Sequence, residues 1–238
     1  MSPPPPSRGY LPRVFAATEE LNRRELLAAL PAGRGGHLLD IGTHTGEFTL
    51  RMAHRLGAER VSGVELISAH TAAARGRGID VAEADLDDGL PFKDASFDVV
   101  TANQVIEHVR RTDRFLAEVR RVLRPGGLAC ISTNNAASWH NVISLALGYQ
   151  PPPMHVSDEV IVGNPLNPEA GAEHEDLGRT HLRIFTGRAL SELARHHGLE
   201  PVAEWTVGYY PLPPRLARVA VQVDPRHGAF LLNLSRRS

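Results

Sequence analysis

The architecture of this chain follows from one segment, Leu38-Leu39-Asp40-Ile41-Gly42-Thr43-His44-Thr45-Gly46-Glu47-Phe48. An apolar run ends in an acid, passes through two glycines four residues apart, and continues into a segment with helical character. This order predicts a strand, a nucleotide-binding loop and a helix. The dinucleotide fingerprint G-x-G-x-x-G needs a middle glycine so that the backbone approaches a pyrophosphate, and His44 takes that place. The loop therefore favours a ligand that has an adenosine half but no phosphates.

S-adenosylmethionine is a ligand of that kind, and the loop is similar to one found in a known family. Leu38 to Gly46 resembles motif I of the class I S-adenosylmethionine-dependent methyltransferases, whose commonest form has a glycine at the position of His44. Later segments resemble the same family in the same order, from about Leu38 to the C-terminus. The nearest likeness is to the small-molecule methyltransferases of the ubiquinone- and menaquinone-biosynthesis type.

The resemblance implies that the chain is an enzyme with S-adenosylmethionine as its cofactor. It implies transfer of the methyl group to an oxygen, nitrogen or carbon atom of a small metabolite or natural-product intermediate. A regulatory protein that binds S-adenosylmethionine without catalysis stays open as the alternative. We expect the chain to act as a monomer or a homodimer.

The composition of the chain also indicates whether it binds nucleic acid or a membrane. With 238 residues, the chain fits one domain with a substantial core. A net charge of −1 with 22% charged residues gives no reason to expect binding to nucleic acid or to a membrane. No apolar run approaches the roughly 18–20 residues that span a bilayer. The single cysteine, Cys130, lies in an apolar run and is expected to be a buried thiol.

The N-terminal sequence has four consecutive prolines in a polar context and no apolar segment. This composition predicts a flexible tail over residues 1–16 rather than a signal peptide. We therefore expect a cytoplasmic location and one methyltransferase domain over residues 17–238.

The distribution of lysine excludes several enzyme classes, because Lys93 is the only lysine. A Walker A loop needs Gly-Lys followed by Ser or Thr, and no such tripeptide occurs. Short-chain dehydrogenases, the nearest Rossmann rivals, need a Tyr-x-x-x-Lys pair, and no tyrosine has a lysine four residues on. The sequence therefore argues against these nucleotide-dependent and NAD-dependent alternatives.

Strand-like and helix-like segments alternate along the chain, which predicts an α/β fold with a mostly parallel sheet. The expected fold is a Rossmann-like seven-stranded sheet with helices on both faces and an inserted lid. The family resemblance implies an antiparallel hairpin of the last two strands at one edge. The predicted strands cover 37–41, 61–66, 79–82, 97–102, 128–132, 202–207 and 229–234, and the main predicted helices cover 21–30, 46–56, 69–75, 115–123 and 186–197.

Hydrophobic periodicity disappears between Asn134 and Thr180, where three consecutive prolines and scattered glycines and acids occur. Loops of this length inside a compact domain are usually lids or insertions. The segment follows the fifth strand, at the carboxyl edge where α/β sheets bind ligands. We therefore predict a substrate lid over about 134–180.

Acids at the ends of the second and third strands are the next candidates for cofactor binding. Glu65 ends the second strand, and an acceptor-only carboxylate there can bind ribose hydroxyls, which is the role that the family resemblance implies. By the same resemblance, Asp85 binds the adenine amino group while Leu86 covers the ring, although Asp87 stays an alternative to Asp85. The residues predicted to bind the cofactor are Asp40, Gly42, Thr43, His44, Gly46, Glu65, Leu66, Asp85, Leu86, Asn103 and Gln104.

The segment that leaves the fourth strand lies closest to the chemistry. By resemblance, Asn103 and Gln104 lie beside the methionine part of the cofactor and the transferred methyl group. His108 is a candidate general base because an ordinary histidine pKa near 6.5 suits proton removal at neutral pH. The alternative is that Glu107 and His108 only hold the following helix and loop together.

The segment that begins at His181 resembles a His-x-Arg-x-Phe-Thr turn that many members of the family carry, and His181 either faces the substrate or fixes the return of the lid. The catalytic candidates are therefore Gln104, His108 and His181.

A metal site is not expected. Some members of the family bind a divalent ion through Glu-x-x-Glu-His and a distant histidine, but Gln104 stands at the first position here and is a poor ligand. The histidines in or near the lid fall at no tight metal-binding spacing. These histidines are His140, His155, His174 and His181.

Overall fold

The structure is a computed structural model that describes residues 9–165, 167, 169–172 and 180–238. The strands are β1 (His37–Ile41), β2 (Arg60–Glu65), β3 (Asp80–Glu83), β4 (Phe97–Asn103), β5 (Leu123–Asn134), β6 (Leu199–Val207) and β7 (Phe230–Arg237). The helices are α1 (Tyr10–Ala29), α2 (Glu47–Leu56), α3 (Ser68–Arg75), α4 (Thr112–Val122), α5 (Trp139–Ala146), α6 (Gly187–His196) and α7 (Pro214–Val223). A short 3-10 turn covers Leu86–Asp88.

The seven strands form one sheet in the order β3-β2-β1-β4-β5-β7-β6. The first five strands run parallel to one another, whereas β7 is antiparallel to both β5 and β6. The predicted Rossmann-like fold and its antiparallel edge hairpin are confirmed. The strand order reverses at β1 and β4, and such a switch point opens a crevice at the carboxyl ends of the strands.

Helices cover both faces of the sheet because successive side chains of each strand point to opposite faces. On β1, Leu39 and Ile41 join one core cluster with α4 and α6, while Leu38 joins a second cluster with α1 and α2. The near-continuous apolar runs of the parallel strands follow from burial on both faces. This arrangement leaves the carboxyl edge of the sheet as the place for polar side chains.

The N-terminal part of the chain differs from the prediction. Helix α1 begins at Tyr10, so the flexible tail predicted over residues 1–16 is wrong for residues 10–16. Val14, Thr18 and Leu21 are buried at helical spacing, which places one face of this early part against the sheet. Residues 1–8 lie outside the described part of the chain.

The predicted lid contains a helix that the sequence analysis did not find, α5. The two ends of the predicted lid meet, because Asn135 forms a β-bridge with Phe185 and the Ala136 N–H donates to the Phe185 carbonyl at 2.8 Å. Residues 166, 168 and 173–179 of this segment, including His174, lie outside the described residues. The role of the segment as a substrate lid stays a prediction.

Within the residues that the structure describes, the helices are all too short or too polar to cross a membrane.

The core side of α4 gives a test of the fold. Leu116 is fully buried, so Leu116→Ala should lower the free energy of unfolding by about 2–5 kcal/mol, the usual cost of such a cavity. Leu216 on α7 is 57% exposed, and Leu216→Ala should change it by no more than about 0.5 kcal/mol. Urea denaturation of both variants measures the difference, and equal costs would contradict this packing.

Candidate active site

A cleft of about 760 Å³ opens at the carboxyl edge of the sheet, over the ends of β1, β2 and β4. Its volume lies in the range of small-molecule and cofactor sites. Every residue that the sequence analysis predicted to bind the cofactor lines it, and so does His108. His181 does not line it. The cleft therefore unites predicted residues from four separate segments of the chain.

The loop between β1 and α2 passes through two positions that require glycine. Gly42 has φ +75°, and a Cβ there would lie 2.7 Å from Val105 Cγ2. Gly46 has φ +84°, and a Cβ there would lie 2.5 Å from Ile79 Cδ1. Both glycines thus combine a left-handed backbone with a close approach to neighbouring elements. The loop bends tightly enough to leave the cleft above it open.

His44 adopts φ +50° at the position where most members of the resembled family have glycine. Its ring packs against that of His70 on α3, with the ring centroids 3.9 Å apart. This contact directs the imidazole toward the β2 side of the loop, whereas the end of β4 lies on the other side of β1 in the sheet. His70 also lines the cleft and was missed by the sequence analysis.

Glu65 holds the backbone of two loops together. Its carboxylate accepts hydrogen bonds from the N–H of His44 at 2.8 Å and from the N–H groups of Leu66 and Ile67 at 3.0 Å each. A carboxylate has about four acceptor positions, so one position is left for a further donor. Glu65 therefore fixes the shape of the loop after β1, a role that the ribose prediction did not include.

Asp40 lies buried beneath the same loop. Its carboxylate accepts from the Thr49 hydroxyl at 2.5 Å and from the Thr101 hydroxyl at 2.8 Å, which ties β1 to α2 and β4. Burial raises the pKa of Asp40 to about 7, against the opposing effect of the two hydroxyl hydrogen bonds. These bonds make Asp40 a support of the loop, and its predicted cofactor contact stays a prediction.

The structure of the turn after β3 distinguishes Asp85 from Asp87, the two candidates to bind the adenine amino group. Asp85 is exposed in the cleft, and its Oδ1 accepts from the Asp87 N–H at 2.9 Å. Asp87 is not part of the cleft lining, and its Oδ1 accepts from the N–H groups of Arg110 and Arg111 at 3.0 and 3.1 Å. Asp85 is therefore the acid that is positioned for a ligand, with Leu86 beside it.

A buried network at the end of β4 joins three elements. Asn22 of α1 is 2% exposed; its Nδ2 donates to Asn103 Oδ1 at 2.9 Å and its Oδ1 accepts from the Ser132 hydroxyl at 2.9 Å. The Gln104 amide, on a residue with φ +56°, lies 3.0 Å from Ser132 Oγ. Asn22 was not predicted from the sequence, although a polar residue four positions from both Thr18 and Leu26 on a buried helical stripe is a signal of such a role.

Other residues that the sequence analysis missed come from α1 and α2. Glu20 and Arg51 line the cleft, and they form an ion pair at 3.6 Å that joins the two helices. Glu19 and Arg23 line it as well. Because these residues precede the nucleotide-binding loop or lie on the outer face of α2, no motif marks them.

Glu107 is fully buried behind the segment that follows β4. Its carboxylate accepts from the Thr133 hydroxyl at 2.8 Å and from Asn134 Nδ2 at 3.3 Å, and its carbonyl accepts from the Leu182 N–H at 2.8 Å. Burial raises the pKa of Glu107 to about 7, while these side-chain hydrogen bonds lower it. Glu107 thus connects β4, β5 and the return of the predicted lid, in agreement with the structural interpretation of this residue.

His108 presents one ring nitrogen for chemistry. Its Nδ1 lies 3.2 Å from the Thr180 carbonyl, which can only accept, so Nδ1 carries the proton and Nε2 is the basic atom. Burial lowers the pKa of His108 below its usual value, so the ring is neutral at pH 7. This tautomer and charge state suit a general base.

His181 lies behind His108, with the ring centroids 4.8 Å apart, and stacks on His155 at 4.6 Å. Its Nδ1 lies 3.0 Å from the Pro153 carbonyl, inside the predicted lid. The structure therefore brings His181 to His108 but not to the cleft lining. Of the two roles left open by the sequence, this position favours fixing the return of the lid.

Glu107, His108 and His181 form one group whose possible ligand atoms all lie within 4.8 Å of one another. The histidines fall at no metal-binding spacing in the sequence, but the structure brings one of them, His181, to the Glu-His pair. One carboxylate and two imidazoles are a donor set that transition metals accept. The expectation that the chain uses no metal stays a prediction.

Comparisons with known proteins agree with this geometry. Residues 39–131 match a family model described as a methyltransferase domain. The 27-O-demethylrifamycin SV methyltransferase of Amycolatopsis mediterranei is 30% identical over 219 residues, which cover 86% of this chain and 70% of that protein. The demethylmenaquinone methyltransferase of Listeria monocytogenes is 32% identical over 143 residues, which cover 55% of this chain and only 59% of that protein.

Among solved structures, the 1,6-didemethyltoxoflavin-N1-methyltransferase of Burkholderia thailandensis, bound to 1,6-didemethyltoxoflavin and S-adenosylhomocysteine, superimposes with a TM-score of 0.59. The two chains are 22% identical, and the match covers 94% of this chain and 81% of the other. At this identity the likeness concerns the fold alone.

The raised pKa of Glu107 gives a test by the pH dependence of stability. The folded state holds the Glu107 proton more tightly than the unfolded state, whose pKa is near 4.5, so stability falls as pH rises toward about 7. Glu107→Gln removes this pH dependence. When the pH is raised from 5.5 to 8, the free energy of unfolding of the variant should therefore rise by about 2 kcal/mol relative to that of the parent chain. Urea denaturation at both pH values measures it.

Glu59→Gln, at an exposed position outside the cleft lining, is the matched control and should follow the parent chain at both pH values. Parallel stability profiles for Glu107→Gln and the parent chain would contradict a neutral, buried Glu107.

Proposed function

Because the chain belongs to the S-adenosylmethionine-dependent methyltransferases, we propose that it methylates a hydroxyl or N–H group of a small-molecule acceptor. The observation that carries this proposal is the position of His108, whose neutral imidazole lines the same cleft as all the predicted cofactor-binding residues. A base beside the cofactor site is useful for an acceptor that must lose a proton. Carbon acceptors are a less direct match to this geometry.

The polarity of the cleft supports binding of the cofactor along it. Asp85 and Leu86 would hold the adenine, the remaining acceptor position of Glu65 would bind the ribose, and Asn103 and Gln104 would contact the methionine part. His44 fills the position where a pyrophosphate-binding loop needs glycine, and so favours a ligand without phosphates. When bound, S-adenosylmethionine supplies a methyl group on a positively charged sulfur.

His108 would remove the acceptor proton during transfer. The O–H or N–H bond breaks, its proton moves to His108 Nε2, and the electron pair left on the acceptor atom forms the bond to the methyl carbon. The sulfur–methyl bond breaks, and the sulfur leaves as the neutral thioether of S-adenosylhomocysteine. General base catalysis of this kind contributes about 10²- to 10⁴-fold to the rate. Alignment of acceptor and methyl group contributes the larger part.

The relatives support a small acceptor. The names of the rifamycin and menaquinone methyltransferases denote acceptors that are small organic molecules, and the 1,6-didemethyltoxoflavin enzyme binds one in its solved structure. These acceptors differ from one another, so they indicate a class rather than a compound. A panel of phenols, hydroquinones and heteroaromatic N–H compounds is therefore the appropriate screen, with release of S-adenosylhomocysteine as the signal.

Cofactor binding is tested at the turn after β3. Asp85→Asn removes the negative charge that would attract the adenine amino group, so S-adenosylmethionine should bind about tenfold or more weakly by calorimetry. Asp88→Asn, three residues further on and outside the cleft lining, should leave the affinity unchanged. Equal affinity for Asp85→Asn and the parent chain would remove Asp85 from the site. NAD should raise the melting temperature of neither variant.

The role of His108 is tested with whichever compound of the panel is methylated. His108→Gln should lower kcat about 10²- to 10⁴-fold and leave the affinity for S-adenosylmethionine unchanged. In the parent enzyme kcat should fall only below about pH 6.5, since burial lowers the His108 pKa below that value.

His54→Gln, at an exposed position on α2, is the control and should keep full activity. A His108→Gln enzyme with unchanged kcat and pH profile would assign His108 to structure alone. If no compound of the panel yields S-adenosylhomocysteine although S-adenosylmethionine binds, the proposed acceptor class is wrong.

A further inference from the structure

Two helices expose an apolar face to solvent. On α5 and its C-cap, the exposed residues Trp139, Ile143 and Leu147 recur at intervals of four, and on α7 the exposed residues Leu216, Val219 and Val223 recur at intervals of three and four. Each spacing places its residues on one side of a helix. Their exposed fractions run from 42% at Trp139 to 82% at Val223. We call these six residues the α5–α7 surface.

The two helices meet at one end. Trp139 Nε1 donates to Asp224 Oδ2 at 2.8 Å, and the indole packs against the His227 ring at 4.6 Å. The first turn of α5 is thereby joined to the residue that follows α7. Because Asn134 at the end of β5 pairs with Phe230 at the start of β7, this junction lies at the carboxyl edge of the sheet. The α5–α7 surface is therefore on the same edge as the cleft.

Basic side chains outnumber acidic ones beside this surface. Residues 125–157, which contain α5, include no Asp, Glu, Lys or Arg. Residues 205–235 include three arginines and a single acid, Asp224, whose two carboxylate oxygens both bond to His227 Nδ1, at 2.7 and 2.8 Å. Arg215 and Arg218 are exposed beside the apolar residues of α7, and Arg226 is exposed just after it.

From this combination of apolar and basic groups we propose that the α5–α7 surface binds, without crossing, a lipid bilayer that contains anionic lipid. Amphipathic helices with apolar residues on one stripe and arginines beside it bind the boundary between headgroups and acyl chains. Arginines add attraction to anionic headgroups, and tryptophan is favoured at that depth. An apolar contact with a neutral protein partner gives no reason for the arginines or for the scarcity of acids.

From the net charge of −1 we expected no binding to a membrane. A net charge is a sum over the whole chain, however, and does not describe one part of the surface. Most acidic residues of the chain lie in its first half, whereas α7 carries arginines. Binding to a bilayer here does not depend on methyl transfer, so a failure of one proposal does not decide the other.

Trp139 provides the probe. In a Trp205→Phe protein, Trp139 is the sole tryptophan, and its fluorescence should shift to the blue and increase on addition of vesicles. Vesicles of phosphatidylcholine and phosphatidylglycerol at about 7:3 should bind at least about tenfold more tightly than vesicles of phosphatidylcholine alone. The difference should largely disappear at about 1 M NaCl, where charges are screened beyond roughly 3 Å.

A pair of matched variants distinguishes this surface from a general affinity for lipid. Val219→Glu should weaken binding to the anionic vesicles at least about tenfold, whereas Val202→Glu, at a 55% exposed position on β6, should leave it unchanged. Vesicle sedimentation measures both, and thermal melting verifies that both fold. If Val219→Glu does not fold, the double variant with Arg215→Glu and Arg218→Glu is measured instead, and the same loss of binding to anionic vesicles is expected.

Three results would overturn the proposal. The first is no binding to anionic vesicles, and the second is equal binding of both valine variants. The third is a concentration-dependent dimer in sedimentation velocity that Val219→Glu abolishes, which would assign the surface to a second copy of this chain.

Discussion

The backbone between Gly42 and Gly46 has no room for a side chain at either end, and the site depends on this constraint. Val105 approaches Gly42 from the segment after β4, while Ile79 and Ala74 approach Gly46 from the connection between β2 and β3. The loop after β1 is therefore held at the centre of three parallel strands. Asp40 fixes it from below through two hydroxyls, and Glu65 fixes it from the side through the His44 N–H.

The polar groups at the carboxyl edge are divided between support and chemistry. Asp40 and Glu107 are buried, and burial raises the pKa of each to about 7, so both act through hydrogen bonds to neighbouring strands and helices. Asp85 and His108 line the cleft, Asp85 with an exposed carboxylate and His108 with an imidazole whose Nε2 is left as the basic atom. Carboxylates that look alike in sequence thus differ in role because their depth in the protein differs.

Local charge separates two regions at the same edge of the sheet. Acids outnumber arginines in the cleft lining, which suits a cofactor that carries a positive sulfur. The acids are Glu19, Glu20, Asp40, Glu47, Glu65 and Asp85, and the arginines are Arg23, Arg51 and Arg110. Exposed arginines and one hydrogen-bonded acid lie beside the apolar α5–α7 surface. The whole-chain charge of −1 describes neither region. Electrostatic arguments for this protein therefore belong to individual surfaces rather than to the composition.

The alternation of strand-like and helix-like segments predicted the mostly parallel sheet, because hydrophobic periodicity is a local signal. The paired glycines predicted the loop after β1, and the family resemblance implied the antiparallel edge and the roles of Glu65 and Asp85. The choice between Asp85 and Asp87 came from the folded structure, since the backbone of Arg110, 23 residues further along the chain, bonds to Asp87 and leaves Asp85 in the cleft lining. The folded structure also brought Asn22 to Asn103 and His181 to His108, which are distant in the chain. Contacts between distant segments depend on how elements pack, and no local pattern encodes that.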